Sequence, residues 1–345
     1  MKWYNPQTKP FEINGFAFYD QDMLYRRLPL NPCAQLPEAV YYLGDETSGG
    51  QIRFHCRCKQ LKIQVSIASR KRYFSQYTSP HLTETNKKAF DLYISMNGGK
   101  YEYVTTPTNY SADDIYYENT LLNLTEEAEF DALLYFPLYG GIDKILIGID
   151  DDGEITKTRK PFANDGRIIF YGTSIEEGAC ASRPGMSCSN ILSRFLDCEV
   201  LNMGFDASGK GEAEVARMFC CIENVKALIL ATDANSPDGQ WMCDKLPEFI
   251  RIFREKNPDA LIVMVPFIES GRYRLFPERH KTVEEKLEAQ KQIVSDLTAA
   301  GDKNICLYIH ENMDSDAFAD GVHGTDIAFM EEAKGLYEVL KNIIK

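Results

Sequence analysis

The sequence predicts an α/β protein: an antiparallel β-sandwich of jelly-roll type over residues 1–160, then a five-stranded parallel sheet wrapped by helices over residues 161–345. Three observations predict it. Short alternating or aromatic-rich runs bounded by turn signals fill the first half. Apolar runs alternate five times with amphipathic segments in the second. The 345 residues also exceed what one compact core ordinarily organises.

In order, the runs at 39–43, 51–55, 61–67, 89–96, 101–105, 132–138 and 145–149 read as strands. Gly49-Gly50, Asn97-Gly98-Gly99 and Gly140-Gly141 punctuate them as turns. The polar stretch 150–166 reads as the junction between domains. After it, strands at 167–171, 200–203, 227–231, 261–266 and 305–309 each precede a helical pattern, at 190–196, 212–222, 246–255, 283–300 and 326–344. In such sheets a ligand sits at the carboxyl ends of the strands. Three polar loops fall there: Gly172-Thr173-Ser174, Gly204-Phe205-Asp206 and Thr232-Asp233-Ala234-Asn235.

Composition narrows the partners. Net charge is −13, with −3 on residues 1–160 and −10 on 161–345, a surface that repels nucleic acid and anionic membranes. No uncharged apolar stretch approaches the roughly 20 residues of a bilayer span. The start lacks the apolar core of a signal peptide, and ten cysteines without a C-x-x-C pair suggest free thiols in a reducing compartment. A cytoplasmic protein is the expectation. Cys56 and Cys58 share one face of a strand with His55 on the other, which favours packed thiols over a metal site. No P-loop or dinucleotide fingerprint occurs, so neither cofactor nor metal is expected. Oligomeric state leaves no mark in the sequence.

The chemistry lies in two places. Ser174 follows an apolar run that stops at Gly172, which reads as a strand delivering a hydroxyl to the sheet rim. Asp320-Gly321-Val322-His323 places a carboxylate three residues before an imidazole, a separation of at most roughly 10 Å. Nucleophile, general base and orienting acid are thus all present. Taken alone, Ser174 could equally cap a helix, and Glu176 rules out the Gly-x-Ser-x-Gly elbow. Of the other histidines, 55, 81, 280 and 310, His310 is the main rival because it ends the fifth strand.

These residues resemble the SGNH, or GDSL-like, hydrolases. The first block is similar at Gly172-Thr173-Ser174-Ile175 and the last at Asp320 to His323, while Phe90-Asp91-Leu92-Tyr93 and Leu134-Tyr135-Phe136-Pro137-Leu138-Tyr139 resemble the GxDLY-type β-domain that precedes one subgroup. The resemblance implies a flavodoxin-like catalytic domain with Ser174, His323 and Asp320 as its triad. It implies an oxyanion hole from the N–H of Ser174, the N–H of Ala207 and the side chain of Asn235. Two blocks depart from the pattern. The second-block glycine falls on Ala207, with Gly209 close by, and the third block appears as Asp233-Ala234-Asn235-Ser236. A carboxylate at Asp233 would oppose an oxyanion unless it points away.

The expected function is a serine ester hydrolase removing small acyl groups, such as acetyl, from carbohydrate or other small esters. Alternatives are a glycan-binding protein with a catalytically impaired domain, or an acyltransferase using the same triad. Arg183, Arg272 and Tyr273 are candidates to contact substrate, or else solvated loop residues. Tyr93 and Tyr135 offer either a sugar-stacking face or sandwich core.

Overall fold

A computed structural model describes residues 1–68, 80–267, 271, 275–310 and 313–344. They form two compact units: Met1–Pro29 with Gly44–Ala163 and Ala181–Gly185, and Leu30–Leu43 with Asn164–Cys180 and Met186–Lys345. In chain order the first half carries β1 (Lys2–Tyr4), β2 (Glu12–Asn14), α1 (Tyr19–Asp22), α2 (Glu38–Leu43), β3 (Gln51–Ile67), α3 (Glu84–Lys88), β4 (Asp91–Ser95), β5 (Glu102–Thr105), β6 (Tyr116–Tyr135), β7 (Ile142–Ile149) and β8 (Glu154–Thr156).

The first unit is an antiparallel sheet in the order β1-β7-β3-β6-β4-β5, with β2 and β8 also paired to β3. Its spine is the long pair β3 and β6, matched from Gln51↔Tyr135 to Ser66↔Tyr116. The runs at 51–55 and 61–67 are therefore two ends of one strand. What divides them is a bulge. Inward-facing residues are Ile52, Phe54, Cys56 and Cys58 before it, then Leu61, Ile63, Val65 and Ile67 after it. The register shifts between Cys58 and Gln60, so parity flips while the same core stays covered. On the far side of β3, β2 and β8 pair one end and β7 the other. The two long strands thus serve two sheet segments, as strands do at sandwich corners. Tyr93 and Tyr135 are buried, edge to face at 5.5 Å, and belong to the interior.

One expected strand is a helix. Residues 39–43 lie in α2, where Val40 and Leu43 are buried at helical rather than alternating spacing. The paired aromatics Tyr41 and Tyr42 mimic a strand run in the sequence.

The second unit contains β9 (Arg167–Gly172), α4 (Ser174–Glu177), α5 (Cys188–Leu196), β10 (Glu199–Gly204), α6 (Ala213–Phe219), β11 (Val225–Ala231), α7 (Gly239–Lys256), β12 (Leu261–Met264), α8 (Pro277–Ala299), β13 (Ile305–Leu307) and α9 (Asp326–Leu340). All five strands are parallel, in the order β10-β9-β11-β12-β13. Counted within the unit this is 2-1-3-4-5, the flavodoxin-like order, whose switch point falls between β9 and β11. The central strands are buried on both faces, which is why they read as continuous apolar runs. Among the described residues no helix is long and apolar enough to cross a membrane.

Candidate active site

β9 delivers Ser174 to the switch point. The strand ends at Gly172, where a Cβ would stand 2.3 Å from both the Ala231 carbonyl oxygen and Glu176 Oε2. Thr173, not Ser174, is the N-cap of α4: its hydroxyl oxygen accepts from the Ile175 N–H at 3.3 Å. Glu176 Oε2 in turn accepts from the Thr173 N–H at 2.6 Å and its hydroxyl at 2.8 Å, completing a capping box. Because Thr173 takes the capping role, the Ser174 hydroxyl is left for another partner. That partner is His323 Nε2, at 2.9 Å.

The imidazole is held by its own loop. Asp320 Oδ1 accepts from the main-chain N–H of Val322 at 2.9 Å and of His323 at 2.8 Å, while Oδ2 lies 2.8 Å from His323 Nδ1. Around this turn the Ala319 N–H donates to the His323 carbonyl at 2.8 Å, and the Thr325 N–H to Ala317 at 2.7 Å. Partial burial pushes the Asp320 carboxyl up, but the donors from His323 and Val322 outweigh it and its pKa falls to about 2. An ionised Asp320 takes the Nδ1 proton as its partner, which leaves Nε2 as the acceptor for the serine hydroxyl. Ser174 and His323 are mostly buried, while Asp320 is 38% exposed. His310 stands apart from this chain; its ring neighbours Tyr308 at 6.3 Å.

The loops after β10 and β11 meet beside Ser174's strand. Phe205's carbonyl accepts from the Ser208 N–H at 3.0 Å, making a turn with Ala207 in the left-handed region at φ 51°. Gly209, at φ 71°, follows so close to Gly172 that a Cβ would lie 1.9 Å from the Gly172 carbonyl oxygen. Asn235 Nδ2 donates to the Ser208 carbonyl oxygen, tying the third loop to the second. An amide nitrogen carries two hydrogens, so this bond leaves one for another acceptor. Asp233 turns elsewhere: its Oδ2 accepts from the Phe267 N–H at 2.7 Å and from Gln290 Nε2 at 3.1 Å.

Several supports escaped the sequence reading. Glu177, fully buried, accepts from the Asp206 N–H at 2.9 Å and anchors the second loop to α4. Asn202 Nδ2 donates to the Glu176 carbonyl at 2.8 Å and to Ser189 Oγ at 2.9 Å. The Thr173-x-x-Glu176 spacing is a readable capping signal; Asn202 and Glu177 carry none, because their partners come from distant segments. Arg183 belongs to the first unit, where its guanidinium reaches buried Asp91 at 2.7 Å, the Tyr93 hydroxyl at 2.8 Å and the Tyr103 ring at 3.7 Å. Those partners account for its charge within that unit. Arg272 and Tyr273 lie outside the described residues.

Comparisons with known proteins agree with this architecture. A model described as the GDSL-like lipase/acylhydrolase family matches residues 165–341. Another, the N-terminus of SGNH-hydrolase-type esterases, matches residues 1–155. A search of curated proteins gave no match. The chain is similar to the crystal structure of a protein described as a GDSL-like lipase from Bacteroides ovatus ATCC 8483, with 26% identity and a TM-score of 0.88 over 100% of this chain and 98% of that one. It is similar in fold to the salicylyl-acyltransferase SsfX3 of a tetracycline biosynthetic pathway, at 16% identity and TM-score 0.77 over 99% and 97% of the two chains. A family two carbohydrate esterase from Clostridium thermocellum, in complex with cellohexaose, aligns at 14% identity and TM-score 0.61 over 86% and 92%.

Proposed function

This chain belongs to the GDSL-like lipase/acylhydrolase family of carboxylic ester hydrolases, and on that premise we propose that it cleaves small acyl esters, acetyl esters of carbohydrates foremost, through Ser174, His323 and Asp320. The observation that carries the reading is the unbroken line from Ser174 Oγ to His323 Nε2, 2.9 Å, and from His323 Nδ1 to Asp320 Oδ2, 2.8 Å. A serine hydroxyl attacks an ester only when a base takes its proton as the bond forms. His323 does so, and later returns the proton to the departing alkoxide. Asp320 holds the tautomer and stabilises the imidazolium.

Attack places negative charge on the former carbonyl oxygen. The Ser174 N–H, the Ala207 N–H and the remaining Asn235 amide hydrogen are the donors for it, and each such donor is worth about 10²–10³ in turnover. Ala207 in place of glycine leaves the main-chain donor available, and the Asp233 carboxyl is occupied by Phe267 and Gln290. Both points support turnover over the catalytically impaired reading. Carbohydrate as the alcohol is favoured by the carbohydrate esterases among the similar folds, which include an acetyl xylan esterase from Butyrivibrio proteoclasticus.

The test is hydrolysis of an aryl acetate and of acetylated oligosaccharides, with labelling by a fluorophosphonate. Ser174→Ala is expected to lower turnover by roughly 10⁴–10⁶-fold and to abolish labelling while leaving the circular dichroism spectrum intact. A variant that still turns over at the native rate would sink the assignment. Product analysis with an added alcohol separates hydrolysis from acyl transfer.

A further inference from the structure

A cavity of about 240 Å³ opens within the second unit beside the triad. Ala234 and Val322, the residues directly before Asn235 and His323, form its near wall. Arg279, Thr282 and Lys286 of α8 form the far wall, at the i, i+3, i+7 spacing that places them on one helix face. Pockets that bury a whole drug-sized ligand start near ~300 Å³, so this one suits a single small group rather than a polymer or a fatty chain.

The charges on that wall are unusual for this chain. The second half carries ten more acidic than basic residues, and the other basic side chains of α8 have found carboxylates. His280 lies 3.4 Å from Glu284, Lys281 3.8 Å from Glu285, and Lys291 2.7 Å from Glu288. Among the described residues, Arg279 and Lys286 are the two basic side chains of α8 without such a partner. Arg279 is exposed and, among the described residues, reaches the Phe276 ring at 5.5 Å. Lys286, half-buried, spends one hydrogen on the Asp233 carbonyl oxygen at 2.8 Å, and an ammonium has three. Burial pulls the pKa of that ammonium below the ordinary lysine value, and the Asp233 and Asp238 carboxylates offset this only in part; a further anion in the cavity would raise it. The Asp233 carboxyl also borders the cavity, and it is engaged by Phe267 and Gln290 as described.

We propose that this cavity is a subsite for a carboxylate carried by the ester substrate, bound between Arg279 and Lys286. The inference rests on the ester-hydrolase reading of the adjoining triad. Its chemistry can enter from either side of the scissile bond: a half-ester of a dicarboxylic acid brings the carboxylate on the acyl group, an acidic sugar on the alcohol.

Two pairs of substrates distinguish these sources. A monoaryl succinate is compared with the aryl levulinate, in which a methyl ketone replaces the carboxylate at equal size. Meta-acetoxybenzoate is compared with meta-acetoxybenzamide. In one pair the charged ester should exceed its neutral counterpart by about tenfold or more in kcat/KM, the low end for a hydrogen bond to a charged group. Arg279→Gln should bring that ratio close to one. Equal rates within both pairs, or a preference unchanged by Arg279→Gln, would overturn the subsite.

The same enzyme assayed on a plain aryl acetate reports on the triad alone. If acetate is hydrolysed and no anionic preference appears, only the subsite fails. If no ester is hydrolysed, calorimetric titration of Ser174→Ala with the four esters still decides the matter. Tighter binding of a charged ester, lost on adding Arg279→Gln, upholds the subsite; equal binding removes it.

Discussion

Ala207 shows how one residue carries both cost and use. Its φ of 51° is left-handed, a conformation that costs a residue with a Cβ about 1–2 kcal/mol. The turn is kept because it lets the loop after β10 run back past Gly172, where Gly209 makes the closest approach. Ala207→Gly removes the strain but adds about 0.4–1 kcal/mol of unfolded-chain entropy. The net expectation is stabilisation of about 0–1.6 kcal/mol, read from denaturant midpoints. A destabilised variant would mean that the methyl group packs usefully. Thr173 and Ser174 make the complementary point: adjacent hydroxyls take different partners because only the first sits at the cap.

At the scale of the element, α4 is a single turn whose position is fixed by buried acid groups. Glu176 closes the capping box, and Glu332 of α9 lies near it in the interior. Burial, reinforced by the neighbouring Glu332 charge, pushes Glu176 up to about 8. Burial likewise raises Glu332, to about 7, against a hydrogen bond from Cys188. Both folded values exceed the ordinary 4.5, so the native protein holds protons that the unfolded chain releases. Their contribution to stability is full below the ordinary carboxyl range and is lost as pH rises through the two folded values. Melting temperature should therefore decline from about pH 5 to pH 8, and Glu332→Gln should flatten that decline. A variant with the native slope would show that the decline comes from other groups.

For the whole molecule, the chain does not divide at one cut. Leu30–Leu43 groups with the second unit although it lies in the first half of the sequence, and there Cys33 Sγ stands 3.3 Å from Met218 Sδ and 3.0 Å from Cys221 Sγ. A fragment comprising 164–345 lacks that segment and its buried Leu36, Val40 and Leu43. Each buried aliphatic side chain contributes about 1.5–3 kcal/mol, so the fragment should melt well below the second unit of the intact chain. Calorimetry of the two would show it; matching transitions would make the segment dispensable.

The sequence by itself determined the parallel sheet and the three rim loops, and it singled out Ser174, Asp320 and His323 as candidates, because apolar periodicity and short-range spacing are local properties. It did not separate strand from helix at 39–43, nor join 51–55 to 61–67. A short aromatic run satisfies either period, and the bulge inverts parity without changing composition. Only tertiary structure decided that Ser174 meets His323 across 149 positions of chain, that Asn235 reaches Ser208, and that Asp233 faces away toward Phe267 and Gln290. Those outcomes depend on which strand ends become neighbours, and parallel pairing is set by long-range burial rather than by any residue's immediate surroundings.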